Sequence, residues 1–352
     1  MKRKAEPHPR RITQADLARE LDLTQETISH ALRGTGTLSE ATRERVKALA
    51  AKRGYRPHAV ARSMQKGSFD SIGLLTSTHG FAWPILPSTM RGIYEVLHEK
   101  ALNLVYARLP DDKFLSEKGP PRVLTELMVD ALILNLGPDT ARSAIDLVDN
   151  SRIPAVLINK NQERNCVYPD ERAAGRQAAK QLISLGHRNI GYLSNTPPPD
   201  SGIHFSFTDR RDGCLQALEE AGLVPRRIES SQASNALLRA AIRDALLGQN
   251  ECQDAPLTGF VTGSRACAEM LLIEGFRLGR EPGRDYSLIA IDMGGDPCGG
   301  IQIDFLRTPA YWLGRESAQF AIDLLKAGKA TLPSRKVPYR DYIEGETVGP
   351  PP

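Results

Sequence analysis

Between residues 12 and 33 the chain reads ITQADLARELDLTQETISHALR, and its apolar positions recur at helical spacing. Leu17, Ala18 and Leu21 share one face of a first short helix, and Ile28, Ala31 and Leu32 share one face of a second. The turn between them is Leu21-Asp22-Leu23-Thr24, where Thr24 is placed to cap the second helix by accepting from an orphan backbone N–H. A glycine-containing loop covers residues 34–38. Ser39 then opens a third helix over about residues 40–53, with an inward stripe of Thr42, Val46, Leu49 and Ala50 and a stop at Gly54. Three short helices with one shared apolar face form a minimal bundle, and a core of about 45 residues is marginal alone. Residues 55–68 follow: Pro57 sets up a helical turn, and residues 59–65 extend it for about two turns, too few for stability in isolation. Such a segment is either a plain linker or one that folds on binding.

From residue 71 the pattern changes. Short apolar runs at 71–75, 103–109, 131–137, 154–159, 189–195, 259–263, 286–292 and 301–306 alternate with helical patterns at 90–100, 170–185, 209–221, 266–278 and 310–327. Strands alternating with helices predict βαβ units and parallel sheets covered on both faces. Some 280 residues exceed one comfortable doubly wound sheet. The expected fold class is therefore α/β, with two doubly wound parallel-sheet lobes preceded by a small all-α head. A cleft is expected where the carboxyl ends of the strands face each other.

Charge sharpens this division. The 352 residues carry a formal net charge of +4, but residues 1–68 hold 15 Lys+Arg against 7 Asp+Glu, and the remainder 31 against 35. A head at +8 on a body at −4 points to a head that alone meets a polyanion. The five cysteines are odd in number, widely spaced and without a CxxC pair, so neither zinc nor a disulfide framework is expected. Residues 1–11 are basic without the apolar stretch of a signal peptide, and no run reaches the ~20 apolar residues of a membrane span. The expected location is the cytoplasm.

The outward face of the second helix carries Gln25, Glu26, Ser29, His30 and Arg33, side chains able to donate to and accept from base edges. No catalytic set accompanies it. His79, His98, His187 and His204 lack a paired Cys or Ser motif, there is no GxSxG, HExxH or P-loop, and the pairs Gly294-Gly295 and Gly299-Gly300 read as loop. The expectation is a protein that is not an enzyme and takes no cofactor or metal.

The pieces ITQADLA, TxxTIS, SEATRERV, GYRPHAVARS and SIGLL occur in this order from Ile12 to Gly73 without a gap. Together they resemble the N-terminal module of the LacI family of bacterial transcriptional repressors. In that family the second helix reads the major groove, while a short hinge helix orders on operator DNA and wedges an apolar side chain into the minor groove. The resemblance places Gln25 and Glu26 at the principal base-reading positions, followed by Ser29 and His30, with Met64 as the wedge. It completes a DNA-facing set with Thr13, Thr24, Thr27, Arg33, Tyr55, His58 and Ala61. Gln25 suits adenine N6/N7 and Glu26 suits cytosine N4, whereas Arg10, Arg11 and Lys66 suit phosphates. Asp22 stands where glycine is usual, His30 where arginine is common, Arg33 where asparagine is common and Met64 where leucine is usual. These departures imply a different operator.

VDALIL, IPAVLIN, the run from Gly175 to Ile190, RxxGxxxAL from Arg210 and SLIAID resemble, more loosely, the periplasmic-binding-protein-like core of the same family. The organisation this implies is a helix-turn-helix domain over 1–54, a hinge helix and linker over 55–68 and an effector-binding core over 69–352. Within the core, the N-lobe is expected at about 69–163 and 306–331 and the C-lobe at about 164–305 and 332–352. The chain is expected to cross between lobes near 159–169, 302–307 and 330–334. The implied effector set is Asn159, Arg210 and Asp292, joined by Phe81, Trp83 and Thr262. In this reading the guanidinium of Arg210 holds ligand oxygens and Asp292 accepts from ligand hydroxyls. The cleft departs from the family pattern: Trp83-Pro84-Ile85-Leu86 replaces NPFF, Thr262-Gly263 replaces SD, and residues 304–309 replace TTVRQP. The implied partners are double-stranded operator DNA, a carbohydrate-like small-molecule effector and a second copy of the chain in a homodimer. No leucine heptad follows Ile343 to suggest a tetramerising coil. The alternative from another class is an α/β sugar-binding protein or enzyme with an incidental basic head.

Overall fold

The computed structural model describes residues 11–57, 63, 66–77, 85–109, 119–126, 128–137, 142–195, 204–229, 234–249, 255–328 and 331–352. It consists of a helical unit up to Phe69 and an α/β unit from Asp70.

The head holds α1 (Gln14–Leu21), α2 (Gln25–Arg33) and α3 (Glu40–Lys52). Each start is set by a side chain that satisfies orphan donors. The Thr13 hydroxyl accepts from the Asp16 N–H at 3.2 Å while the Asp16 carboxylate accepts from the Thr13 N–H at 3.0 Å, a capping box. Thr24 accepts from the Thr27 N–H at 3.1 Å, and Ser39 from the Thr42 N–H at 3.2 Å. Asp22 closes α1 at φ 53°, a left-handed conformation that a short polar side chain tolerates where most residues would not. Leu17, Ile28, Ala31 and Val46 are fully buried between the three helices, with Leu21, Leu32, Leu49 and Tyr55 packed partly buried around them. Each fully buried Leu or Ile contributes about 1.5–3 kcal/mol, which accounts for the regular apolar spacing. Thr42 differs from expectation: it is only partly buried, and its hydroxyl pairs with that of Ser39 at 2.8 Å. Arg43 donates to the carbonyls of Gly34 at 2.8 Å and Gly36 at 3.1 Å, pinning the loop that leaves α2.

The body begins with β1 (Ser71–Ser77), α4 (Pro87–Glu99), β2 (Asn103–Leu109), a single turn α5 (Arg122–Thr125), β3 (Ala131–Asn135), α6 (Arg142–Ser151), β4 (Ala155–Ile158) and β5 (Cys166–Pro169). It continues with α7 (Glu171–Ser184), β6 (Ile190–Ser194), α8 (Phe205–Glu220), β7 (Arg226–Glu229), α9 (Asn235–Leu247), β8 (Gly259–Thr262), α10 (Arg265–Arg277), β9 (Ser287–Asp292) and β10 (Asp304–Arg307). It ends with α11 (Ala310–Ala327), β11 (Arg335–Val337) and β12 (Asp341–Ile343). The strands form two six-stranded sheets, ordered β11-β5-β4-β3-β1-β2 and β12-β10-β9-β8-β6-β7. All pairings are parallel except β10 with β12. Both sheets are doubly wound and covered on both faces, which is why β1, β6 and β8 are buried at every position.

The lobe boundaries need correction. β5 and β11 both belong to the first sheet, and β10 belongs to the second. The chain therefore crosses between 169 and 171, between 307 and 310, and between 337 and 341. Each crossing lies a few residues beyond its expected place. The reason is backbone pairing that apolar patterning does not report: β11 carries one buried apolar residue, Val337, yet Arg335, Lys336 and Val337 pair in register with Val167, Tyr168 and Pro169.

Each lobe packs one pair of helices at glycine contacts. In the first, a Cβ on Gly92 would overlap the Tyr311 carbonyl, and one on Gly314 the Thr89 carbonyl. In the second, Gly175 lies against the Arg210 carbonyl and Gly213 against that of Arg172. Only hydrogen at these positions lets α4 approach α11, and α7 approach α8, so closely.

His187 ties the far end of the second lobe together. It is fully buried, with Nδ1 3.0 Å from the Thr258 hydroxyl and Nε2 2.9 Å from the Ser287 hydroxyl and 3.0 Å from the Gly349 carbonyl. Burial lowers its pKa below the ordinary histidine value. The unfolded chain then binds the proton more readily than the folded one. Stability is fully present above about pH 6.5 and falls as pH drops below it, by at most ~1.4 kcal/mol per pH unit for this group. Urea midpoints at pH 7.5 and pH 5.5 are expected to show this loss, and His187→Asn is expected to start lower and lose less. An equal loss in both proteins would remove His187 as its source.

Candidate nucleic-acid interface and ligand cleft

Helix α2 turns Ile28 and Ala31 into the head's core, which leaves Gln25, Glu26 and Arg33 exposed and Ser29 and His30 half-buried. The Gln25 side chain makes no hydrogen bond among the described residues. Glu26 is 83% exposed, with a carboxylate oxygen 3.8 Å from His30 Nε2. His30 Nδ1 lies 3.0 Å from the Thr35 hydroxyl, which fixes the ring against the following loop. Arg33 donates from Nε to the Ser29 carbonyl at 3.2 Å and so lies back along its own helix. The Thr13, Thr24 and Thr27 hydroxyls are occupied at the caps, Thr24 and Thr27 lying 2.8 Å apart. Tyr55 packs against the core of the head. His58, Ala61 and Met64 lie outside the described residues.

A cavity of about 190 Å³ opens at the carboxyl ends of the strands in the body. That is more than ten times what one water needs, and the position is where doubly wound sheets bind ligands. Asn135, Asn159, Glu171, Ser264, Asp292 and Thr308 line it from strand ends and the turns after them. Ser206, Phe207 and Arg210 enter from the start of α8, and Ala310 and Leu313 from the start of α11.

Asn159 reaches its place through a left-handed backbone at φ 59°. Its carbonyl accepts from His204 Nε2 at 3.0 Å, and its N–H donates to the Val167 carbonyl at 2.8 Å. His204 caps α8 from the other side of the ring, Nδ1 accepting from the Ser206 N–H at 3.3 Å. That arrangement needs the neutral ring, and burial lowers the His204 pKa accordingly. Asp292 accepts from the Arg265 N–H at 2.6 Å on one oxygen and from the Met293 N–H at 2.5 Å on the other. A carboxylate accepts about four hydrogen bonds, so Asp292 retains capacity for ligand donors.

Arg210 does not match its expected state. It is 12% exposed, and all five of its N–H groups are engaged by protein. Nε and Nη2 donate to the two oxygens of Glu171 at 2.6 and 3.1 Å. Nη1 donates to the carbonyls of Gly263 at 2.7 Å and Ile291 at 3.1 Å, and Nη2 to the Tyr339 hydroxyl at 3.2 Å. Burial opposes the charged form, but Glu171 overcomes it and holds the guanidinium pKa well above its ordinary value. Tyr339 donates in turn to Glu171 at 2.6 Å, with Thr308 beside it. The cluster thus takes one residue from each crossing: Glu171 from the first, Thr308 from the second, Tyr339 from the third.

Two further expectations change. Thr262 is fully buried and donates to the Ser264 carbonyl at 3.2 Å, so it does not line the cavity; Gly263 and Ser264 do. Gly263 is forced by the ring beneath it, since a Cβ there would overlap the hydroxyl of buried Tyr192. Phe81 and Trp83 lie outside the described residues. Glu171, His204, Ser206, Asn135 and Thr308 also line the cavity, although no motif in the sequence marks them. The available signal was their position just after a strand or at a helix start, where the strand-end rule places ligands.

The family of periplasmic binding protein-like domains matches residues 179–348. The HTH-type transcriptional regulator RafR of Escherichia coli is 31% identical over 213 residues, 59% of this chain and 61% of that protein. The ribose operon repressor of Haemophilus influenzae is 28% identical over 60% of this chain and 62% of its own length. The chain thus spans about three-fifths of these curated relatives. Among solved structures, the lac repressor dimer bound to operator and the anti-inducer ONPF superposes with a TM-score of 0.71 at 19% identity, covering 97% of this chain and all of the other. The chain is thus similar to HTH-type transcriptional regulators over about three-fifths of its length, and it shares the fold of the lac repressor. The two six-stranded sheets agree with the periplasmic binding protein-like model and with the fold of the lac repressor. In this cleft the carboxylate of Glu171 lies directly on Arg210.

Proposed function

We propose that the protein is a sequence-specific, operator-binding transcriptional repressor, acting as a homodimer on a pseudo-palindromic site and controlled by a small carbohydrate-like effector in the body's cleft. The observation that carries the reading is the free outer face of α2. A capped nine-residue helix keeps one apolar face in the core and holds Gln25 and Glu26 exposed at its N-terminal end. That is the end a recognition helix presents to base edges. The basic balance of residues 1–68 supports contact with phosphates, and the relative named as a ribose operon repressor supports a sugar-like effector. The homodimer gives the two-fold operator symmetry, and closure of the cleft changes the geometry from which the two heads are presented. Such a protein works in the cytoplasm.

Gln25→Ala tests the reading. The substitution is expected to cost about 1–3 kcal/mol at one base pair of each half-site and to relax specificity there, measured by titrating operator variants. Uniform weakening across all sequences would exclude Gln25 as a base reader.

A further inference from the structure

The described lining of the cleft carries three charged side chains: Glu171, Asp292 and Arg210. His204 is neutral, because burial lowers its pKa and its ring accepts at Nδ1. The local balance is therefore one negative charge in excess. The single cation has no donor left to offer, since Glu171, Tyr339 and the Gly263 and Ile291 carbonyls use all five. Glu171 itself is only 2% exposed, so a ligand that drew Arg210 away would leave a buried carboxylate without its counter-charge. What remains available includes spare acceptor capacity on Asp292 and the apolar sides of Ile85, Leu86, Phe207, Met293 and Leu313.

We infer that Glu171 is a specificity-determining residue: by occupying Arg210 it makes the cleft exclude phosphates and carboxylates and select an uncharged, hydroxyl-rich ligand with an apolar face. This deepens the effector reading above and rests on the same cleft. It also assigns Arg210 the part of an internal strut, with ligand donors read by Asp292 instead.

The inference is tested by calorimetry on the full-length protein with two probes, inorganic phosphate and D-gluconate. The wild type is expected to bind neither at millimolar concentration. Glu171→Gln removes the charge at nearly constant size and frees Arg210 electrostatically, so its affinity for at least one probe is expected to rise tenfold or more. Glu171→Asp keeps the charge and is expected to exclude both. Wild-type binding of either probe that is lost in Arg210→Lys would overturn the inference, as would a folded Glu171→Gln protein that gains nothing. Glu171→Asn supplies a second uncharged side chain should the glutamine variant fail to fold. If neither folds, the wild-type titrations decide: binding overturns the inference and its absence supports it. These titrations read cleft chemistry alone, whereas failure of the repressor reading would appear as absent operator protection with the heats unchanged.

Discussion

Arg210→Ala is expected to destabilise the body by about 3–5 kcal/mol, because it leaves Glu171 buried without a counter-charge. The same change strips hydrogen bonds from the Gly263 and Ile291 carbonyls and from the Tyr339 hydroxyl. Exposed ion pairs elsewhere in the protein behave differently. Arg122 and Glu126 pair on the surface beside a single helical turn, where solvent screens the charges and breaking the pair costs little. Urea unfolding of Arg210→Ala, Glu171→Gln and the double variant measures the coupling directly. The double variant is expected to lose less than the sum of the singles, since each single leaves the other group stranded. A loss below about 1 kcal/mol for Arg210→Ala would show that the cluster contributes no more than a surface pair.

Gly175→Ala is expected to be nearly as damaging although it adds one methyl group. Its Cβ would overlap the Arg210 carbonyl and crowd the Cys214 N–H, and backbone cannot rotate out of the way as a side chain can. Overpacking of this kind costs about 1–3 kcal/mol, and the upper end is expected because Gly213 meets the Arg172 carbonyl in the same interface. Any separation of α7 from α8 also displaces the backbone that carries Arg210. The effect should therefore be non-additive with Arg210→Ala. Thermal unfolding of the two singles and the double checks this, and strict additivity would place the helix contact and the cleft in independent regions.

The head was legible in the sequence to the level of individual caps. Thr24, Ser39 and Asp22 do locally what their chemistry dictates, and helical spacing names the buried positions. The doubly wound class of the body was equally plain, because β1, β3, β6 and β9 are apolar strands of five to seven residues that must be covered on both faces. The weaker strands were not: β5, β7, β11 and β12 have three or four residues, and β7 reads Arg-Arg-Ile-Glu. Backbone pairing with a neighbour already in place holds them, and no periodicity records that. The crossings moved for the same reason.

The cleft shows the complementary limit. Asn159, Arg210 and Asp292 do line it, but a residue's place along the chain does not reveal which partner it will find. Glu171 reads as an ordinary first-turn acid of a helix, and only the fold brings it to Arg210, 39 residues away. His204 and Thr308 likewise acquire their contacts from elements far apart in sequence. Thr262 went the other way: it ends a strand that is buried at every position, and its hydroxyl donates to the Ser264 carbonyl within the following turn.

As proposed, α2 reads DNA sequence on behalf of a regulator. Selection of bound fragments from the source genome by the full-length protein, followed by footprinting of the enriched sites, tests it most directly. The expected result is a protected, two-fold symmetric site whose affinity falls steeply with salt and whose half-sites each lose one base preference in Gln25→Ala. Enrichment of no common sequence, with binding that depends on salt alone, would contradict it.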